Sequence, residues 1–273
     1  MFVITKKEIV AIVVLYNPDS QVYKTIAGYK GLVNRVILVD NSSKNNQELF
    51  KDLSYVKYIP LLDNLGIACA LNKGIKESYE KYILTMDQDS NISVSLIKSY
   101  LSFFNKWDRE DIGALTCQYN TDRNPSKSKT GFEEIKLSMQ SGTLFKRSTF
   151  KKIGYFNESL FLDVVDYEYF LRMEKANLKL IRVNFAVLDH QPAITKVLKL
   201  GPIKLKYGIA APIRYYYQAR NLLWTAKKYK NNKLYFLLVI KWLKIVLLFN
   251  NKKIYLHAFN KGIKDANHNR LGK

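Results

Sequence analysis

The chain has only two cysteines, Cys69 and Cys117, in apolar settings and with no metal-ligand spacing. That suggests free thiols in a reducing compartment. It has no Gly-x-Gly-x-x-Gly and no Walker motif, so the usual dinucleotide and P-loop phosphate cradles are missing. No apolar run reaches the ~20 residues a membrane-spanning helix needs. The most apolar stretch, Leu234 to Phe249, is broken by Lys241 and Lys244. Met1 to Lys7 lacks a basic segment ahead of an apolar one and does not read as a secretory signal. There are no internal repeats. Acids are scarce: 23 Asp and Glu face 44 Lys and Arg, for a net charge of +21. From His190 to Lys273, 18 basic residues face one acid, Asp265, so +17 of that charge lies there. A basic half implies an anionic partner: nucleic acid, anionic lipid or a diphosphate-bearing substrate.

What is present is a folded chain with 48% hydrophobic residues and 273 residues in which to bury a core. Apolar runs alternate with helical patterns. Strands are expected at Glu8 to Tyr16, Val33 to Val39, Val56 to Leu61 and Tyr82 to Met86. Helices are expected at Val22 to Gly31, Asn46 to Leu53, from Asn64-Leu65-Gly66 through Glu80, and Ile92 to Trp107. Ile112 to Tyr119 reads as a strand, Asn120 to Thr130 as a polar loop, Leu178 to Leu188 as a strand and Ala211 to Ala226 as a helix. Strands that are apolar throughout imply a mostly parallel sheet covered on both faces, an α/β fold.

The central stretch is Tyr82-Ile83-Leu84-Thr85-Met86-Asp87-Gln88-Asp89, an apolar run ending in two carboxylates. Ligands of open α/β sheets collect at the carboxyl ends of strands. Two acids there suit Mg2+ or Mn2+ bound with a substrate phosphate, or else a solvated turn. Asp40 ends another strand, either as an acceptor for a base or ribose or as a turn residue. Asn64, Gly66 and Asn72 line a helix start, as nucleotide contacts or as capping and packing residues. Asp163, Asp166 and Glu168 fall among apolar residues. Asp166 opens a helical pattern, where it fits a cap or a general base. His190 precedes a Gln-Pro pair and reads as a surface residue or as a ligand for the same ion. Arg214, Tyr217 and Arg220 share a helix, and Arg suits phosphate. Leu234 to Phe249, with Trp242, reads as an interfacial helix with snorkelling lysines or as a core helix.

The ordered set of motifs resembles the family 2 glycosyltransferases of GT-A fold, and within them the bacterial rhamnosyltransferase branch. The pieces are Leu15-Tyr16-Asn17-Pro18, Val39-Asp40-Asn41-Ser42, Asp63 to Gly74, Met86 to Asp89, Ser141-Gly142, Ile153 to Phe156 and Phe161 to Glu168. Arg214 to Asn221 and Asn260 to Asp265 point to the branch. The resemblance implies a GT-A domain over 1–200 and a basic helical region over 201–273 that completes the acceptor side and contacts the membrane. It implies that Tyr16, Asn17, Asp40, Asn64, Gly66, Asn72 and Asp87 hold the donor nucleotide. Asp87, Asp89 and His190 would hold Mn2+ or Mg2+, and Asp166 would be the catalytic base. Asp163, Arg214, Tyr217 and Arg220 would contact the diphosphate or the acceptor. The family's acid before the base is Val165 here.

The activity implied is inverting transfer from a nucleoside diphosphate sugar, dTDP-rhamnose or a UDP-sugar, to a lipid-linked saccharide of a cell-surface polysaccharide. The enzyme would be cytoplasmic, peripheral on the inner face of an anionic membrane. A nucleic-acid-binding protein is the competing reading of the charge. It is disfavoured because the basic residues are interleaved with aliphatic runs and no nucleic-acid motif is present. A glycoside hydrolase or a non-catalytic sugar-nucleotide binder would also use such acids.

Overall fold

The computed structural model describes residues 4–126, 129–190, 194–200 and 203–273. In chain order the elements are β1 (Ile9–Leu15), α1 (Ser20–Ala27), β2 (Arg35–Asp40), β3 (Val56–Pro60), α2 (Ile67–Lys76), β4 (Tyr82–Asp87), β5 (Ser90–Asn91) and α3 (Val94–Trp107). There follow β6 (Ile112–Asn120), β7 (Phe132–Ile135), β8 (Thr143–Lys146), α4 (Arg147–Ile153), α5 (Val165–Lys175), β9 (Lys179–His190), β10 (Ile194–Leu200), β11 (Ile203–Ile209), α6 (Pro212–Tyr229), α7 (Asn232–Leu248) and α8 (Lys252–Asn267).

One sheet runs β3-β2-β1-β4-β8-β6-β9-β5, with β7 also paired to β9. Its first four strands are parallel, and β1 is buried along almost its whole length, as its β-branched sequence demands. Beyond β4 the sheet is mixed. β8 runs antiparallel to both β4 and β6, while β6 is parallel to β9. The sheet is thus uniformly parallel in its first half and mixed in its second. The fold is α/β of GT-A type. One apolar layer, including Tyr100, Phe103 and Phe104 of α3, packs on one face of the sheet. A second, including Phe145, Phe150, Phe156, Tyr169 and Phe170, packs on the other.

Several boundaries differ from the sequence expectation. Helix α1 stops at Ala27, and Gly31 lies beyond it in a turn at φ 72°. Residues 46–53 hold only a short 3-10 turn, Gln47–Phe50. Helix α2 ends at Lys76, and Glu80 is instead held by Arg35 and Asn34. The antiparallel hairpin β10–β11 was not expected, since its alternating Lys and aliphatic residues carry no strong turn signal. The division expected at residue 200 falls inside this hairpin. Helix α6 packs most heavily on α8 and also meets α5. Residues 127 and 128 of the polar loop, and the Gln-Pro pair at 191–192, lie outside the described residues.

Candidate active site

Buried strand β4 is flanked by β1 and β8, so its ladder carries the chain to a fixed end point at Asp87. There the Asp87 N–H donates to Ser141 Oγ at 3.0 Å, and Asp87 Oδ1 accepts from Gln140 Nε2 at 2.6 Å. The chain turns through Gln88 and Asp89 and rejoins the sheet at Ser90, which is paired with His190. Gln88 points away from the acids: it accepts from the Tyr16 N–H at 2.8 Å and donates to the Tyr16 carbonyl at 3.1 Å. His190 Nδ1 lies 2.9 Å from Ser90 Oγ and 3.7 Å from Asp89 Oδ1. Ser90 Oγ is in turn 2.9 Å from Ser141 Oγ. One atom from each of Asp87, Asp89 and His190 lies within 4.8 Å of the other two.

The electrostatics follow from crowding and burial. Burial, then the nearby Asp89 and Asp166, pushes the Asp87 carboxyl up to about 7. Burial lowers the His190 imidazole from its ordinary value despite Asp89 beside it. Its ring is therefore neutral at pH 7, the form that ligates metals. Two carboxylates and a neutral imidazole form a donor set suited to a divalent ion such as Mn2+ or Mg2+. Without a cation the acids repel one another. The residues present therefore fit such an ion, and Asp87, Asp89 and His190 would hold it.

The opposite wall is the segment leading into α5. Phe161, Asp163 and Val164 all have positive φ, at 56°, 61° and 67°. This is costly, most of all for β-branched Val164. The segment is held from α6. Asn221 Nδ2 donates to the carbonyls of Leu160, Leu162 and Asp163, at 2.7, 2.7 and 2.9 Å. Tyr217 packs on Phe161 with ring centroids 5.0 Å apart. The Phe161 carbonyl accepts from the N–H of Ile67, the first residue of α2. Asp166 follows in the first turn of α5. Burial is the main cause raising its carboxyl to about 6, against the opposing hydrogen bond from the Tyr167 N–H. Arg214 forks onto Asp163, with Nε at 3.0 Å from Oδ2.

Both walls face one cavity of about 420 Å³, lined by Asp87, Asp89, His190, Asp163, Asp166 and Arg214 among others. Tyr16 and Asn17 follow β1 as exposed residues and are not among those lining this cavity; the Asn17 N–H donates to Ser42 Oγ.

Other expected site residues are placed elsewhere. Asp40 is fully buried, and its carboxylate accepts from the Ser42 N–H and Oγ, Asn46 Nδ2 and Tyr58 OH. It fixes the turn after β2, and contact with a base would require one of those bonds to open. Asn64 Oδ1 accepts from Asn41 Nδ2 and the Gly66 N–H. Gly66, at φ 89°, is packed closely on the protein: a Cβ there would lie 2.6 Å from the Phe161 carbonyl oxygen. Asn72 is buried and bonded to Phe156 and Glu158. Arg220 is buried on the carbonyls of Gly272 and Leu160, out of reach of a diphosphate. Arg220 and Tyr217 therefore support the 160–164 segment, a role their Arg and Tyr identities did not signal. Glu168 is also structural, bonded to Arg172, Lys228 and Tyr229. Gln140, Lys241 and Lys244 line the cavity but were not singled out for it. Gln140 carries no local signal beyond its place beside Ser141-Gly142.

The family model for glycosyl transferase family 2 matches residues 10–166. The chain is 29% identical over 239 residues to the dTDP-rhamnosyl transferase RfbF of Shigella flexneri, covering 78% of each. It is 26% identical to the poly-beta-1,6-N-acetyl-D-glucosamine synthase of Staphylococcus epidermidis, over 58% of this chain and 44% of that protein. Among solved structures, S. aureus TarS 1–349 in complex with UDP-GlcNAc matches at TM-score 0.59 and 14% identity, covering 94% of this chain and 81% of that one. GalNAc-T7 with UDP, GalNAc and Mn2+ matches at TM-score 0.62 and 12% identity, covering 96% of this chain and 56% of that one. At those identities the structural likeness speaks to the fold.

Proposed function

The chain belongs to glycosyl transferase family 2, and from that premise we propose that it transfers a sugar with inversion from a nucleoside diphosphate donor to a hydroxyl of a lipid-linked saccharide. The observation that carries this reading is the convergence of Asp87, Asp89, His190 and Asp166 on one cavity. Asp166 accepts the proton of the acceptor hydroxyl as that oxygen bonds to the anomeric carbon. The bond from that carbon to the diphosphate oxygen breaks on the opposite side. Asp87, Asp89 and His190 would hold a divalent ion, which would supply positive charge to offset that of the departing diphosphate. Tyr16 and Asn17 border the nucleoside side, with Asp87 contributing to the ribose or to the ion. Asp163 and Arg214 border the acceptor side.

Rhamnose from dTDP-rhamnose is the donor we favour, supported by the similarity to RfbF. UDP-galactofuranose or another UDP-hexose is the competing donor, supported by neighbours that bind UDP or UDP-GlcNAc. The product would extend a cell-surface polysaccharide. Among the described residues no helix is long and apolar enough to cross a membrane. The basic C-terminal region supports peripheral attachment to the inner face of a bacterial membrane, at ~1 kcal/mol per basic residue near an anionic leaflet. A thermal-shift screen of nucleotide sugars with and without Mn2+ tests the reading, since a ligand of the folded state raises the melting point. The expected result is a Mn2+-dependent shift with a dTDP- or UDP-sugar. Shifts that ignore the metal, or none with any nucleotide sugar, would overturn it.

A further inference from the structure

Helix α7 presents an inverted pattern. A surface helix ordinarily turns apolar residues inward and lysines to water. In α7, Leu234 and Ile245 do pack inward. Phe236, Val239, Ile240, Leu243 and Leu247, however, stand exposed at spacings of three and four, with Phe236 68% and Leu247 69% exposed. Trp242 is exposed beside them. Of the three lysines in the helix, Lys233 is exposed in the first turn, while Lys241 and Lys244 face the other way. Lys241 and Lys244 both line the active-site cavity. Lys241 Nζ donates to Gln218 Oε1 at 2.9 Å, and Lys244 Nζ donates to the Gly208 carbonyl. Neither forms an ion pair with a carboxylate among the described residues. The sequence expectation that they reach outward past an apolar face is therefore reversed.

Neither face is fully matched among the described residues: the lysines form no ion pair and the apolar row is uncovered. On the inner face the two lysines give their hydrogen bonds only to neutral acceptors, Asp163 acts on Lys241 through space, and burial pushes the Lys244 ammonium down to about 8. The outer face presents a row of large apolar side chains to water, which is unfavourable. Around that row lie exposed lysines: Lys230 and Lys233 at one end, Lys252 and Lys253 at the other. From His190 through Lys264 there is no acid to offset them. An apolar face rimmed by lysines fits an anionic bilayer. A ligand that enters the cavity beside that face and meets two lysines carries an anion attached to lipid. On the transfer reading, the donor's diphosphate is taken by the Asp87–Asp89–His190 site.

We propose that α7 lies on an anionic membrane by its outer face and that Lys241 and Lys244 on its inner face bind the phosphate or diphosphate joining the acceptor to its lipid. This rests on reading the cavity as a sugar-transfer site with a lipid-linked acceptor.

The test uses the full chain, with vesicles of phosphatidylethanolamine containing about one third phosphatidylglycerol and doped with farnesyl diphosphate. The Phe236→Ser/Ile240→Ser/Leu247→Ser variant should float roughly tenfold less than wild type, while keeping its nucleotide-and-Mn2+ thermal shift. Lys241→Met/Lys244→Met should float normally and keep that shift, but bind farnesyl diphosphate roughly tenfold more weakly. Farnesol and inorganic pyrophosphate separate the contributions of chain and charge, and each alone should bind more weakly than farnesyl diphosphate. Unchanged flotation of the first variant overturns the membrane face. So does a wild-type dimer that this variant dissolves and lipid does not. A lysine pair that loses the nucleotide shift but keeps farnesyl diphosphate belongs to the donor, which overturns the assignment. If vesicles and farnesyl diphosphate bind as expected but no nucleotide sugar shifts the wild type, the transfer reading fails and the assignment of α7 stands.

Discussion

Asp87 stands at the last rung of a backbone ladder, with β1 and β8 fixing β4 on either side. Asp166 stands just past three left-handed residues that no ladder supports, and side chains of α6 hold them from more than fifty residues away. The two walls meet in one cavity but differ in how their positions are secured. On the β4 wall, local sequence places the acids, and replacing one acid should remove its chemistry alone. On the 160–166 wall, the geometry is stored in a strained segment and its remote clamps. Damage to a clamp should therefore reach the chemistry without touching a reacting group.

The largest expected effect is at the proposed base. Asp166→Asn should lower the transfer rate by about 10²–10⁴-fold, the range for losing a general base. It should leave the Mn2+-dependent nucleotide shift intact, and loss of that shift would merge the two walls into one function. Next is Asp89→Ala, expected to lower the rate by about 10²–10³-fold, the size of a lost charge-stabilising contact. Here the Mn2+-dependent shift should vanish. Manganese titration followed by melting temperature reads this without a turnover assay. A variant that keeps its metal dependence would assign the ion to other residues.

The clamp comes third. Asn221→Ala strips one donor from three carbonyls at once. Stability should fall by about 1–3 kcal/mol, the cost of leaving buried acceptors unmet. The telling measurement is the division of kinetic effects: kcat should fall several-fold with donor affinity unchanged, because the displaced wall carries the proposed base. A pure stability loss, with kcat preserved below the melting range, would show that the strained segment holds its shape unaided.

The same contrast explains what could be read from the sequence. Strand β4 and its acids were legible because an apolar run ending in Asp-Gln-Asp specifies both a buried strand and its exit. The GT-A order of motifs was legible for similar reasons. The roles of Tyr217, Arg220 and Asn72 were not. Each is a buried polar or aromatic group whose partners lie dozens of residues away, at Phe161, Leu160 and Phe156. Their residue types suit a ligand equally well, so residue type alone does not show which partner they take. The bonding of Asp40 was not legible because its four donors come from Ser42, Asn46 and Tyr58, and only the fold closes that ring. The inward lysines of α7 were missed because helical spacing gives which residues share a face, not which way that face turns.

The smallest effect concerns the fold itself and inverts the first prediction. The Asp166 carboxyl is raised from 3.8 to about 6, chiefly by burial. The native state therefore binds this proton more tightly than the unfolded chain does. The stabilisation is fully present below pH 4 and is lost as pH climbs towards 6. Above that, the ionised group is a constant burden of at most roughly 3 kcal/mol, less where water reaches it. Asp166→Asn removes the burden, so at pH 8, without metal or nucleotide, it should melt several degrees above wild type. The gap should close as pH falls towards 4. In the wild type, kcat/KM should rise through about pH 6 as the same carboxyl ionises. An asparagine variant that melts lower at pH 8, or whose advantage ignores pH, would mean that the wall around residue 166 accommodates the charge and that its acidity is set by something other than burial.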